Sequence, residues 1–433
     1  MHRAPRSRRR RPGGLLWQRN FRLLWVGETV NWVGDFMAIV GMPLLAVNVL
    51  HASNFAVGAL VAAGYLPWLV IGLPAGAWID RMPSRPVMIV CDLLSAVLFL
   101  SILLSAWAGV LTLAQVMIVA FGAGTASVFF GIAYQVYLPD LVTADELMEA
   151  NAKLGGSQSA AELAGPGLAG LAAQALGVTT ALLGNAVSFL VSALCLLGTR
   201  PRAPERPPSA ERSKLRNDVA TGVRFVAGDH YLWRICLAAA IANTALCGFE
   251  AVQVVFLVRA LRLAPAAVGV LVAVPGVGGI LGATYARRIS ERIGTARSLL
   301  LAFLCAQPLA LLAPLATRGP GIALYVTGLL IMPVGAALAS VMMITFRQAY
   351  TPSGMLGRVS ATMRAAAYGG RPVGALAGGA LATTLGPRAA LWIIFAVLSG
   401  SGTLLFSRPF ITVRDLPTTP APAPGGLATA GSG

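Results

Sequence analysis

The sequence predicts an all-α membrane protein with twelve transmembrane helices, arranged as two pseudo-symmetric six-helix bundles. Three observations predict it. The first is composition: of 433 residues, 57% are hydrophobic and 11% charged, where a soluble domain carries roughly 25% charged residues. The second is run length. Segments 87–108, 266–285 and 323–345 reach the roughly 18 apolar residues of a spanning helix, unlike the roughly 10-residue alternating strands of an outer-membrane barrel. The third is the placement of basic residues in the gaps between runs. With the N-terminus inside, about 28 of the 33 Lys and Arg fall on alternate, inner segments. An odd number of spans would scramble that bias.

Residues 1–22 form a basic cytoplasmic arm with Arg3, Arg6 and Arg8 to Arg11. A twin-arginine export signal is the competing interpretation. The apolar run that follows is too long for one, contains Glu28 and Asp35, and lacks an A-x-A cleavage site. The N-terminal bundle, 23–198, holds spans at 23–49, 56–79, 87–108, 111–136, 154–175 and 179–197. A polar cytoplasmic linker follows at 199–231. Its end, with Leu215, Val219, Val223, Phe225 and Val226, has partial helical periodicity and is expected on the membrane surface. The C-terminal bundle, 232–407, holds spans at 232–256, 266–285, 298–315, 323–345, 365–384 and 389–406. Residues 408–433 are expected to be a disordered cytoplasmic tail, ending in Pro, Ala, Thr and Gly.

The formal charge of +17 raises nucleic acid as a partner. Its distribution between apolar runs points to membrane topology instead, and no nucleic-acid partner is expected. The five Cys lie inside apolar runs without CxxC spacing, and the three His are scattered. No metal site or cofactor is therefore expected. The chain shows no HExxH, GxSxG or Walker loop. That argues against a lipid-modifying membrane enzyme and against an ATP-driven pump within this chain. A non-transporting sensor or scaffold is the remaining alternative.

Between the second and third runs lies Gly76-Ala77-Trp78-Ile79-Asp80-Arg81-Met82-Pro83-Ser84-Arg85, a short charged hinge. A weaker echo starts at Gly282, 206 positions later, and Pro166 and Pro372 repeat at the same offset. The spacing suggests a duplicated unit, with the halves related by an axis normal to the membrane. Asp80, an anion on an inner loop, can sit against the positive N-terminal end of a neighbouring helix and bias a two-state equilibrium. In the fifth run, Gly156, Gly165, Gly167 and Gly170 would let backbones approach closely against the other half. Pro166 would bend that helix.

Charge inside spans is costly and marks function. In the first span Glu28, Asn31, Trp32 and Asp35 share one helical stripe, with Asp35 about 18 Å deep at about 1.5 Å per residue. Glu162 and Arg371 also fall near the midplane. Asp92 is placed near the inner edge of the third span, where snorkelling or an Arg partner suffices, and Glu250 in the outer half of the seventh. Asp35, with Glu28 or Glu162, is the expected protonation site of an antiporter, tuned by Arg371. The alternative for each acid is a static ion pair joining two helices. Candidates for an apolar, aromatic cavity are Trp32, Phe36, Tyr65 and Phe249, with Trp68, Phe129, Tyr134 and Phe256 behind them.

Several motifs occur in order over about 21–408. The hinge Gly76, Asp80, Arg81 and Arg85 resembles the loop-2/3 signature of the major facilitator superfamily. Gly156, then Gly165-Pro166-Gly167-Leu168-Ala169-Gly170, resembles the fifth-helix motif of its antiporters, with Ala169 in place of a Gly. Gly34-Asp35, Leu138-Pro139-Asp140-Leu141-Val142, Ala150-Asn151-Ala152 and Arg371-Pro372-Val373-Gly374-Ala375-Leu376 are similar to its drug- and siderophore-exporting branch, which includes macrolide and enterobactin exporters. The resemblance implies a conformational latch at the hinge with a partner on helix 11, and a leak-preventing bend at Pro166. It also implies proton-driven export of hydrophobic small molecules across a bacterial plasma membrane. Both termini would be cytoplasmic, and the chain is expected to act as a monomer. A siderophore exporter and an importer of the same fold are the alternatives. One departure stands out: many proton-coupled exporters of this superfamily carry an Arg shortly before the Gly-rich patch of helix 4. Here Gln115 to Ala120 precede Phe121-Gly122-Ala123-Gly124 with no Arg.

Overall fold

The computed structural model describes residues 14–79, 82–200, 215–352 and 355–417. The first eight α-helices are α1 (Arg19–Asn48), α2 (Asn54–Val70), α3 (Gly72–Ile79), α4 (Ser84–Trp107), α5 (Leu113–Leu141), α6 (Leu147–Leu176), α7 (Val178–Ala181) and α8 (Leu183–Gly198). Next come α9 (Leu215–Gly228) and α10 (His230–Val255), the latter extended by a π-helical turn at Phe256–Ala260. After α11 (Pro265–Ile293), α12 (Thr295–Leu301) continues through a π-helical turn, Ala302–Ala306, into a 3-10 stretch, Gln307–Leu315. The last helices are α13 (Ile322–Tyr350), α14 (Leu356–Gly369), α15 (Arg371–Thr384), α16 (Pro387–Ser401) and α17 (Arg408–Ile411).

Nine helical runs among the described residues are long and apolar enough to cross a membrane. The other three predicted spans also fall on helix, each with a local peculiarity. The second is α2 and α3, interrupted at Ile71. The fifth is α6, whose apolar character is diluted by Glu149, Lys153 and Glu162. The eleventh is α14 and α15, which meet at Gly370 beside Arg371. Outward-facing side chains are apolar: Val97, Ile118 and Leu194 are 64%, 66% and 67% exposed. In water each would forfeit the roughly 25 cal/mol per Å² gained by burial; in hydrocarbon it does not. The chain is a multi-pass membrane protein.

The chain divides into two compact units. The first comprises Met1–Pro208, Glu250–Gly276 and Ala375–Pro387; the second comprises Ser209–Phe249, Val277–Gly374 and Arg388–Gly433. In the first, α1 packs on α6 and α8, α4 on α5 and α8, and α2 on α5. One end is filled by a cluster that includes Phe21, Leu24, Met88, Tyr137 and Leu154. Tyr137 and Thr199 share a hydroxyl hydrogen bond of 2.6 Å within it. The turn Gly14–Trp17 is tied to the start of α6, where the Leu15 amide donates to Glu149 Oε1 at 3.1 Å.

In the second unit, α13 packs against the continuation of α12. Asp229 starts α10 by accepting the amides of Tyr231 and Leu232 at 3.0 and 2.8 Å, and its other oxygen accepts the Tyr350 hydroxyl at 2.6 Å. The end of the linker is helical, as its periodicity suggests, and α9 packs on α14. One expectation is corrected here, that of a tail disordered from 408. The tail is ordered at its start. The Ala296 amide donates to Arg414 O at 3.2 Å, the Thr295 amide to Asp415 Oδ1 at 2.9 Å, and the Leu416 amide to Thr295 Oγ1 at 2.8 Å. The first two of these bonds satisfy amides at the start of α12 that have no intrahelical partner. The basic arm 1–13 and the tail from 418 lie outside the described residues.

Candidate functional site: an acidic cavity in the first unit

Within the first unit a cavity of about 310 Å³ is lined by α1, α2, α4, α5, α8 and the part of α10 around Glu250. Each wall follows from local sequence. On α1, Asn31, Asp35, Ala38 and Met42 recur at helical spacing and face inward. The close seat of α1 on α8 requires the small residue before Asp35: a Cβ on Gly34 would overlap the Ser188 hydroxyl and stand 2.6 Å from Asn185 Oδ1. On α4, Asp92, Ser95 and Phe99 form the same kind of stripe, and Phe130 of α5 and Phe189 of α8 complete an aromatic wall. Ala123 and Gly124, from the helix-4 patch, line it too. A Cβ on Gly124 would overlap the Gly64 carbonyl, so this glycine lets α5 lie directly on α2.

Three carboxyl groups open onto this space, Asp35, Asp92 and Glu250. They differ in surroundings. Asp35 is exposed to the cavity, whereas Asp92 is 1% exposed and Glu28, just under one turn before Asn31, is 2% exposed. Glu28, Asp35 and Asp92 are close enough to feel one another's charge. Among the described residues no Lys, Arg or His lines the cavity, and none forms an ion pair with these acids. Glu28 Oε1, Asn31 Oδ1 and Asp92 Oδ2 are buried without a hydrogen-bond partner. Glu250 accepts the Tyr65 hydroxyl at 2.9 Å across the cavity.

Of the expected stripe Glu28, Asn31, Trp32 and Asp35, Asn31 and Asp35 line the cavity, Glu28 is buried behind them, and Trp32 does not line it. Two expectations about its partners differ from the structure. Asp92 is no edge residue with an Arg to pair: it is buried on the cavity wall, and its signal was the Asp92, Ser95, Phe99 spacing that shares a face. Glu162 stands on an exposed part of α6 and does not line the cavity with Asp35. Glu250, placed by sequence only in the outer half of its helix, is a third wall carboxylate. Arg371 belongs to the second unit, where its guanidinium lies 4.7 Å over the Tyr368 ring.

Of the aromatic candidates, Tyr65 lines this cavity; Trp32, Phe36 and Phe249 do not. Trp32 and Tyr134 pack on the cluster around Tyr137, and Phe36 backs onto Gly165. Phe249 lies 5.1 Å from Phe395 in the second unit, and Phe256 is fully buried. Phe129 stacks on Trp78 at 6.0 Å, and Trp68 is 40% exposed.

At the hinge, Gly76 lies in α3, and Asp80 and Arg81 lie outside the described residues. Arg85 forks onto the last turn of α8, donating from Nε to Leu196 O at 2.8 Å and from Nη2 to Leu197 O at 2.7 Å. It thereby adds a donor to the Leu196 carbonyl, which also accepts from Thr199, and gives the Leu197 carbonyl at the helix end a partner. In the fifth-helix motif, Pro166 is buried within α6. Gly165 meets α1, since a Cβ there would stand 2.5 Å from Phe36 Cβ. Gly170 meets Gly269 of α11, and a Cβ would stand 2.9 Å from its Cα. Gly156 and Gly167, expected to pack likewise, face open space.

Comparison with known proteins matches residues 24–370 to the family model described as Major Facilitator Superfamily. The multidrug efflux pump Tap of Mycolicibacterium fortuitum is 26% identical over 410 residues, covering 89% of this chain and 95% of that protein. Multidrug resistance protein 1 of Bacillus subtilis (strain 168) is 26% identical over 234 residues, covering 53% of this chain and 57% of that one. The crystal structure of a bacterial homologue of the iron transporter ferroportin, in its inward-facing state, aligns with a TM-score of 0.72 at 18% identity, covering 91% of this chain and 98% of that one. At that identity the likeness speaks to fold.

Proposed function

The chain belongs to the Major Facilitator Superfamily, and from that premise we propose that it exports hydrophobic small molecules across a bacterial plasma membrane in exchange for protons. It is a transporter and not an enzyme. The observation that carries the rest is the cavity: Asp35, Asp92 and Glu250 line it, Glu28 is buried close by, and among the described residues no basic side chain is in the lining. Acids held together away from water and without a counter-cation take up protons to relieve their repulsion. Asp35 is the group that exchanges a proton with the cavity, and Asp92 and Glu28 share its charge. Glu250, Tyr65, Cys91 and Tyr134 are other titratable groups nearby. When cargo and proton compete for this surface, the energy of proton entry drives cargo out during alternating access.

The family's helix-4 Arg is absent from this chain, so the coupling is assigned to the α1 and α4 acids alone. The Arg85 fork holds the hinge to α8, which supports a latch role for the segment Gly76, Asp80, Arg81 and Arg85. Both termini are placed on the cytoplasmic side by the basic-residue bias. The siderophore-export reading is disfavoured, because an anionic chelator would meet three carboxylates with no cation in the lining. The test is a susceptibility panel with and without the gene, repeated after collapse of the proton gradient. Export gives resistance that vanishes with the gradient. Sensitisation, or growth on a supplied nutrient, refutes it in favour of import.

A further inference from the structure

We propose that the second unit holds a phosphate-binding site where α13 ends, formed by Arg347 and Thr351 with Arg364 of α14. Its ligand is a phosphate group, carried by an anionic lipid headgroup or free in solution. That this end faces the cytoplasm rests on the orientation proposed above; the site itself does not.

The local sequence builds the site. Helix α13 stops at Thr351, which turns extended, and Pro352 cannot continue the helix. The Thr351 amide donates to Arg347 O at 3.1 Å, so the two residues stand one turn apart on one side of the helix end. Thr351 is 5% exposed, and its hydroxyl oxygen has no hydrogen-bond partner within the protein. Arg347 is half-buried, and its Nε is enclosed and likewise without a partner. Helix α14 contacts α13 beyond the turn, and its exposed Arg364 comes near enough for its charge to act on Arg347. Among the described residues neither arginine forms an ion pair with an acid. Asp229, tied to this turn through Tyr350, is already engaged. Its Oδ1 accepts the amides of Tyr231 and Leu232, and its Oδ2 accepts the Tyr350 hydroxyl.

Buried donors ordinarily have partners, and a cation partly withdrawn from water is costly without a counter-charge. Two guanidinium groups drawn together add repulsion. One anion between α13 and α14 relieves all three costs. The donors select its kind. A guanidinium fork matches paired oxygens of phosphate or carboxylate. Donors that arrive from two helices and a hydroxyl suit a tetrahedral phosphate, whose oxygens point in several directions, better than a flat carboxylate. The position fits as well. Arg347 lies in the last turn of a run long and apolar enough to cross a membrane, and basic pockets between helices at the cytoplasmic face hold anionic headgroups. An arginine that merely snorkels keeps its head in water. Here Nε is enclosed beside a buried hydroxyl, which marks a recessed site rather than an open basic rim.

The test is equilibrium binding to the purified full-length protein in neutral detergent. The probes are dioctanoyl phosphatidylglycerol, dioctanoyl phosphatidylcholine and inorganic phosphate. Phosphatidylglycerol should bind at least about tenfold tighter than phosphatidylcholine, and Arg347→Gln should lower that ratio by about tenfold, as for loss of one charged contact. Thr351→Val and Arg364→Gln should lower it in the same direction. Arg297→Gln, at an exposed position on α12, should leave it unchanged. Phosphatidylcholine binding reports the fold of each variant, and Arg364→Gln alters only an exposed side chain. If both lipids bind alike while inorganic phosphate binds and shows the same losses, the site stands and its ligand is free phosphate. The proposal is overturned if neither phosphatidylglycerol nor inorganic phosphate loses affinity in Arg347→Gln and Arg364→Gln, or if Arg297→Gln loses as much, which would mean general surface charge. No transport is read in these assays, so a negative result leaves the export reading standing.

Discussion

Replacing Gly170 by Ala tests the close crossing of α6 on α11. A Cβ there would stand 2.9 Å from Gly269 Cα and 3.0 Å from Gly269 N, with the Pro265 carbonyl closer still. All three are backbone atoms, so no side chain can turn aside and the helices must separate by several tenths of an ångström. Overpacking of this kind costs about 1–3 kcal/mol. The same helix supplies its own control. Gly167 faces open space, so Gly167→Ala gains the better helix propensity of Ala, up to about 1 kcal/mol, and meets nothing. In detergent, Gly170→Ala should melt below Gly167→Ala by on the order of 1–5 °C. Gly269→Ala should mirror Gly170→Ala, since its Cβ would stand 2.8 Å from Gly170 Cα. The double variant should cost less than the sum, because the first substitution already parts the helices. Equal melting of Gly170→Ala and Gly167→Ala would refute the reasoning.

Two further predictions concern the polar ties. Arg85→Ala should lose about 0.5–1.5 kcal/mol by taking the donor from the Leu197 carbonyl, while the Leu196 carbonyl keeps Thr199, and Arg85→Lys should recover only part of it, because an ammonium cannot reproduce the fork; thermal melting reads both. Asp415→Ala should speed hydrogen exchange at the Thr295 amide by about tenfold, since that amide loses its acceptor at 2.9 Å, while exchange in α4 stays unchanged.

The spans were legible because a membrane leaves little choice: a segment that crosses hydrocarbon must be helical and apolar along its length. Even the interruptions at Ile71 and Gly370 fall inside segments the sequence marks as spans. The repeat offset of 206 read from Gly76 and Gly282 reappears, loosened, in two glycine crossings inside the first unit. Gly58 meets Gly379 and Gly170 meets Gly269, so counterparts 58 and 269, and 170 and 379, lie 211 and 209 positions apart. Partners were less legible. Small residues in α6 advertise close packing but not which of them meets a neighbour, so Gly156 and Gly167 read like Gly165 and Gly170. Asp92 was misjudged because α4 starts at Ser84, three residues before the apolar run. At about 1.5 Å per residue this carries Asp92 about 12 Å into its helix. Glu250 had no local signal at all, since its partner Tyr65 is 185 positions away.

The central claim is that Asp35 and the buried acids around it convert proton entry into cargo export. The direct measurement is proton uptake per molecule of cargo in proteoliposomes carrying wild type, Asp35→Asn or Asp92→Asn. Wild type should take up protons in step with efflux and speed up under an inward-directed proton gradient. Asp35→Asn should move cargo only down its own gradient, with no accompanying proton. An unchanged proton-to-cargo ratio in Asp35→Asn would contradict the account.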